Sequence, residues 1–258
     1  MRTPWLGLLV FVHVALGGVL HAQVSIVASY TQNYNSIGTA LPAGWDVWTS
    51  STATGNGLAG SWSTAPAANN ATASASTYFR NLPGASQNWT ASLSAGTDRA
   101  IGWRTGNAAS RDGSITFTLA NTTGYNLNSL SFQLFTPNSS GASGPGTYQL
   151  QYQIGASGIF TQLAAVSYTN DTAQNPLLVT TITLSSGQLT ALNNQAGQVT
   201  LRWDNTATTG TAFHSLALDN FSYTAAAIPE PSTCAVILGV IMLCRVMINR
   251  RRASSPSR

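Results

Sequence analysis

Apolar and polar positions alternate with a period of two along most of this chain. Ile115, Phe117 and Leu119 share one side of Gly113–Leu119, and Ser114, Thr116 and Thr118 share the other. Leu130, Phe132 and Leu134 repeat the alternation, as do Tyr148, Leu150, Tyr152 and Ile154, and later Val199, Leu201 and Trp203. Successive strand side chains point to opposite faces, so this pattern predicts half-buried strands. Asn121–Gly124 and Asn205 read as turns between them. A first strand is expected over Ile26–Tyr34 and a last over Ser215–Tyr223. In the last, Leu216 and Leu218 are out of phase with Phe221 and Tyr223, which predicts a bulge at Asp219–Asn220. Between Gln23 and Ala227 the only helical expectation is one short turn over Gln188–Asn194. Many short strands separated by turn signals predict an all-β sandwich or jelly roll. Gly55–Asn70 and Ser139–Gly146 read as long loops, and Thr224–Ala227 as a linker.

The two ends break the pattern. Arg2 followed by the apolar run Trp5–Leu20 reads as a secretory signal helix over residues 1–22, handled by the Sec translocon and leaving Gln23 as the mature start. At the other end, Pro229-Glu230-Pro231 precedes an apolar stretch, Thr233–Cys244, which Arg245 interrupts and Val246–Ile248 extend. Arg250, Arg251 and Arg252 close it as a stop-transfer cluster expected on the cytoplasmic side. The stretch is shorter than the roughly 20 residues of a comfortable single transmembrane helix. Residues 1–22, 23–223 and 224–258 are therefore the expected signal, exported domain and tail.

The order of Pro-Glu-Pro, apolar helix and arginine-rich end resembles the PEP-CTERM sorting signal. That resemblance implies an exosortase that removes the tail at the inner membrane. It also implies release to the cell envelope, outer surface or exopolysaccharide matrix (biofilm) of a Gram-negative-type bacterium. A second resemblance is spread over the domain: Asn33-Tyr34-Asn35, Leu41–Trp45, Trp62 and Leu218-Asp219-Asn220-Phe221 look like the concanavalin-like jelly rolls of bacterial surface proteins. Asp98–Gly102 and Asn121–Gly124 resemble stretches of PEP-CTERM proteins of this kind.

Charge alters the functional reading. The sequence pI is about 9.4, yet Gln23–Ile228 holds five Arg and six Asp, a net of −1. The basic excess sits in the two ends, so no footprint for nucleic acid exists in the domain. The chain has no lysine, and its two cysteines, Cys234 and Cys244, lie in the apolar tail. P-loop and Schiff-base chemistry, disulfides and thiolate metal sites are thereby excluded from the exported part.

Catalytic patterns are thin. Gly55-Asn-Gly-Leu-Ala-Gly60 spells a dinucleotide fingerprint, but polar residues precede it and Pro66 follows, so it reads as a glycine loop. His214 is the single histidine after residue 22, and no G-x-S-x-G elbow accompanies it. Glu is missing from residues 23–228, leaving Asp as the carboxylate for a glycan hydrolase, with Asp98 and Asp112 flanking Trp103. Asp46 and Asp219 are candidate ligands for a structural calcium. Trp45, Trp62 and Trp103, with Trp48 and Trp89 behind them, are candidates for stacking on sugar rings. The expectation is a non-catalytic envelope or matrix protein with no cofactor; the alternatives are a lectin-like module and, behind it, a hydrolase using two Asp.

Overall fold

A computed structural model describes residues 23–38, 40–66, 79–85, 97–104, 113–135, 147–169, 179–205 and 215–253. The expected signal helix, the loop Ser139–Gly146, and Trp89, Asp112 and His214 lie outside the described residues. The strands are β1 (Ser29–Gln32), β2 (Trp45–Thr49), β3 (Leu58–Ala59), β4 (Trp62–Pro66), β5 (Phe79–Pro83), β6 (Arg99–Arg104) and β7 (Ser114–Leu119). They continue with β8 (Tyr125–Phe135), β9 (Thr147–Ile154), β10 (Thr161–Thr169), β11 (Thr180–Ser185), β12 (Val199–Asn205) and β13 (Ser215–Ala227). One α-helix, α1 (Pro231–Ala253), follows.

The strands form two sheets. One runs β11-β8-β13-β6-β5-β4 with β1 added beside β13; the other runs β10-β9-β12-β7-β2-β3. Among the described residues the strand pairings are antiparallel except β4 with β5, and Val24 adds an isolated parallel bridge to Leu119. The fold is a two-sheet β-sandwich, and the alternation places its core. Phe117, Leu201 and Trp45 from one sheet meet Phe132, Leu218 and Phe221 from the other, all buried. Trp45 and Trp203 stack at 5.5 Å between centroids, and Phe221 stands edge-on to Trp45 at 5.0 Å. Phe132 is edge-on to Trp203 at 5.3 Å. Such pairs add roughly 0.5–1.5 kcal/mol each beyond the area they bury.

The bulge in β13 is where the phase slip put it. Register shifts between Asp219 and Ser222, and Asn220 takes the left-handed conformation, φ 50°. The extra residue lets Leu218 and Phe221 both face the core. Gln188–Asn194 carries two short 3-10 turns, Ser186–Gln188 and Thr190–Leu192.

Four expectations are corrected. Asn205 ends β12 rather than turning after it. Gly55–Asn70 is not one loop, since β3 and β4 lie within it. Thr224–Ala227 is not a linker: it pairs with β8 as the end of β13. The membrane span is not reproduced, because no helix among the described residues is long and apolar enough to cross a membrane. The physical reason is visible in α1, where Arg245 interrupts an already short apolar run.

Candidate functional site

The two outer sheet faces differ. On the six-stranded sheet, Thr116, Thr118, Thr200, Gln153 and Arg202 point away from the core yet are buried. The segment between β2 and β3 reaches Arg202, while Gln153 Nε2 donates to the Gly158 carbonyl at 2.6 Å and Gln198 Nε2 to Thr200 Oγ1 at 2.9 Å. Arg202 holds that segment: Nη1 donates to the carbonyls of Thr52 (2.9 Å) and Gly55 (3.0 Å), while Nε (2.9 Å) and Nη2 (2.6 Å) donate to Gln151 Oε1. The guanidinium lies 3.6 Å from the centroid of the Phe160 ring, and Asp204 Oδ2 is 3.7 Å from Nη2. Burial lowers the Arg202 pKa and the Asp204 charge opposes this. Ser51 pairs with Ser114 at 2.8 Å, and the Phe160 N–H donates to the Ala53 carbonyl at 2.8 Å. Gly57, φ +95°, makes the tight return, where a Cβ would collide with the Thr49 and Ser50 carbonyls. The dinucleotide-like glycines thus build a strap across a sheet, followed by strands and not by a helix.

On the seven-stranded sheet the outer face is open over four strands. Register aligns Ser29, Thr224, Ser129 and Ser185 in one row and Thr31, Ser222, Ser131 and Thr183 in the next. Gln133 and Thr181 continue the array. Each of these side chains is exposed or half-buried. Hydroxyls meet across strands, Ser129 to Thr224 at 2.6 Å and Ser131 to Thr183 at 3.0 Å. Asn220 Nδ2 donates to Gln133 Oε1 at 2.8 Å, and Gln133 Nε2 to Thr181 Oγ1 at 3.4 Å. The array carries no formal charge.

One end of this face is closed. Leu82, Ala100, Phe135 and Ala217 form a small outer core there, and Gly102 leaves room for Leu82, which a Cβ would overlap. Asp219 sits beside it, fully buried. Its Oδ2 accepts from the Ala85 N–H at 2.9 Å and its Oδ1 from the Asn220 N–H at 2.7 Å. Burial nevertheless pushes its carboxyl up to about 7; the Asp98 charge adds to the rise, and the two hydrogen bonds oppose it. Tyr34 is raised well above the ordinary phenol range by burial and then by the Asp219 charge.

The candidate residues are not brought together. Asp46 lies on the six-stranded sheet and Asp219 at the bulge of the other. No group of three or more metal-ligating side chains occurs among the described residues. Trp45 and Trp103 are buried in the core and offer no stacking face, and Trp62 is half-buried against that same core. Trp48 is half-buried and donates its indole N–H to Thr116 Oγ1 at 2.8 Å. The sequence reading missed the strap and the hydroxyl array. The outward phase of Ser129, Ser131, Thr181 and Thr183 was a signal for the array; nothing local announces a bond from Arg202 to Thr52.

No family model matches the chain, and no curated protein matches it. Solved structures resemble it weakly. A non-crystalline cellulose-specific carbohydrate-binding module, CBM28, has 13% identity over 80% of this chain and 99% of its own, with a TM-score of 0.42. A family 11 carbohydrate-binding module from Clostridium thermocellum has 9% identity over 80% and 100%, with a TM-score of 0.36. The K1 cleaved adhesin domain of Lys-gingipain from Porphyromonas gingivalis W83 has 12% identity over 78% and 100%, with a TM-score of 0.41. At such identities and scores the two-sheet architecture rests on the strand pairing itself.

Proposed function

We propose that this chain is a non-catalytic exported β-sandwich that holds neutral polysaccharide against the outer face of its seven-stranded sheet. The observation that carries the reading is the uncharged hydroxyl and amide array running from Ser29 to Thr183. Hydroxyl and amide groups donate and accept alike, which suits a ligand of hydroxyls, and they supply no positive charge to balance a phosphate or carboxylate polymer. The described interior arginines point the same way: Arg99 and Arg202 are buried with their donors spent on partners inside the fold. Asp219 is buried beneath the Ala85 segment, which disfavours a hydrolytic carboxylate pair in an open groove.

The tail supports delivery outside the cell. In α1 every described side chain from Ala235 to Met247 is exposed, including Val236, Leu238, Ile241 and Leu243. An apolar stretch that is interrupted only by Arg245 and packs on nothing in its own fold favours an apolar environment elsewhere. Following directly on Pro229-Glu230, it fits a sorting signal recognised at the inner membrane by an exosortase, with the sandwich then passed to the envelope or matrix.

Binding to immobilised β-glucan, cellulose and alginate, by wild type and by a Thr183→Lys/Thr224→Lys double variant, tests the site. Salt-insensitive retention on a neutral polymer, lost in the variant, is the expected result. Retention on no neutral polymer refutes the reading; retention equal in both proteins moves the site elsewhere.

A further inference from the structure

The junction between sandwich and tail is short and partly hydrogen-bonded. β13 continues to Ala227, with Ala225 opposite Leu127, Ala226 opposite Asn126 and Ala227 opposite Tyr125. The Ala225 N–H also donates to the Ala28 carbonyl at 2.8 Å, and the Ile228 N–H to the Gly124 carbonyl at 2.7 Å. Ala225 belongs to the main core together with Leu127. Helix α1 begins at Pro231. Three residues separate the strand from the helix: Ile228, whose N–H is already bonded, and Pro229 and Glu230, both exposed.

Proteases take their substrates as extended chain whose main-chain groups are free to pair with the enzyme, and native cleavage concentrates where the backbone is unpaired. Three residues, the first of them hydrogen-bonded, do not supply that length. One flank must open before either side of the motif can be gripped. On the domain side, this means breaking the last ladder bonds of β13 and withdrawing Ala225 from Leu127.

We infer that the end of β13 is a latch on tail removal, so that the Pro229–Glu230 junction becomes a protease substrate only when Ala225–Ile228 peels away from β8 and from Ala28. The inference rests on the sorting-tail reading for the identity of the protease, though not for the latch. The reaction is amide hydrolysis: the C–N bond breaks and water supplies a hydroxyl to the acyl carbon and a proton to the nitrogen. The sandwich leaves with a new carboxylate and the tail with a new amine. When opening is fast relative to cutting, the cleavage rate follows the population of the open junction.

Two variants of the full chain test this. One inserts Gly-Gly-Ser-Gly-Gly-Ser between Ile228 and Pro229, which lengthens the junction and leaves the latch intact. The other is Ala226→Pro, at an exposed ladder position, which loosens the latch without truncating a core side chain. Each is followed by intact mass in the producing bacterium, and, after purification in detergent, by proteinase K digestion and by hydrogen exchange of the Ile228 amide. Loss of one or two ladder bonds predicts cleavage about tenfold faster in Ala226→Pro, and the added unpaired length predicts faster cleavage in the insertion variant with the Ile228 amide still protected. Equal rates in wild type and both variants, in cells and with proteinase K, overturn the latch. If no chain is shortened in cells while proteinase K cuts both variants faster, the latch stands and the sorting reading fails.

Discussion

Asp219 ties pH to stability in a direction opposite to that of most carboxylates. Its folded pKa of about 7 stands above the ordinary 3.8 because burial outweighs the two N–H donors it accepts. The folded state therefore keeps a proton that the unfolded chain releases above about pH 4. Stability is fully present below that value, declines as pH rises toward 7, and is flat beyond. The whole displacement corresponds to at most roughly 4 kcal/mol, of which about 2–3 kcal/mol falls between pH 5 and 8. For a domain of this size that is about 5–10 °C in melting temperature.

The assay is thermal unfolding of the protein between pH 5 and 8, for wild type and Asp219→Asn. The asparagine retains an oxygen to accept from Ala85 N–H and has no proton to lose. It is expected to be the less stable protein at pH 5, since its amide cannot serve both donors, and to close the gap by pH 8. His214 is the one histidine after residue 22, and its titration is common to both proteins, so the difference between the curves isolates Asp219. A wild-type melting temperature that is flat from pH 5 to 8, or a slope that persists unchanged in the variant, refutes the reasoning.

Three further outcomes follow from packing and charge. Arg202→Lys leaves the Thr52 and Gly55 carbonyls and Gln151 without their forked donor, which should cost about 2–4 kcal/mol in urea unfolding. It should also raise hydrogen exchange selectively within residues 51–57; uniform exchange across the domain counts against the strap. Gly102→Ala drives a methyl into Leu82 and should destabilise by about 1–3 kcal/mol, whereas Gly187→Ala, with nothing within 4 Å, should stay within about 0.5 kcal/mol of wild type. Arg245→Leu joins Thr233–Cys244 to Val246–Ile248 as one apolar run, and membrane fractionation should then recover more full-length chain than for wild type. An unchanged distribution would show that Arg245 does not set the length of the tail's apolar segment.

The sandwich was legible in the sequence where a strand has one wet face and one dry one. β7, β8, β9 and β12 announce themselves by strict alternation, and the phase slip between Leu218 and Phe221 located a bulge that pairing reproduces. Legibility failed where two polar surfaces meet. Thr116, Thr200 and Arg202 alternate like solvent-facing residues, yet they are buried: Trp48 donates to Thr116, Gln198 to Thr200, and the strap from β2 to β3 gives Arg202 two carbonyls in place of water. Composition misled at β13 as well: Thr224-Ala225-Ala226-Ala227 has the small residues of a linker, but Ala225 fits against Leu127 because it is small. Tryptophan was ambiguous from the start, since large aromatics serve cores and sugar platforms equally well, and in Trp45, Trp103 and Trp203 the core takes them.

The same scarcity of charge explains why the two faces are unlike. A face lined by Arg202 and Asp204 must find partners for ionised groups; Arg202 lies 3.7 Å from Asp204 and takes two carbonyls from the strap, at the expense of access. A face of serine and threonine needs no such cover, because hydroxyls pair across strands at 2.6 and 3.0 Å and still accept water or a ligand with their remaining lone pairs. Charges placed on that face would also repel directly across the ladder when alike. Neutrality there is what keeps four adjacent strands exposed without either a lid or a run of like charges, and it is the property that the lysine double variant removes.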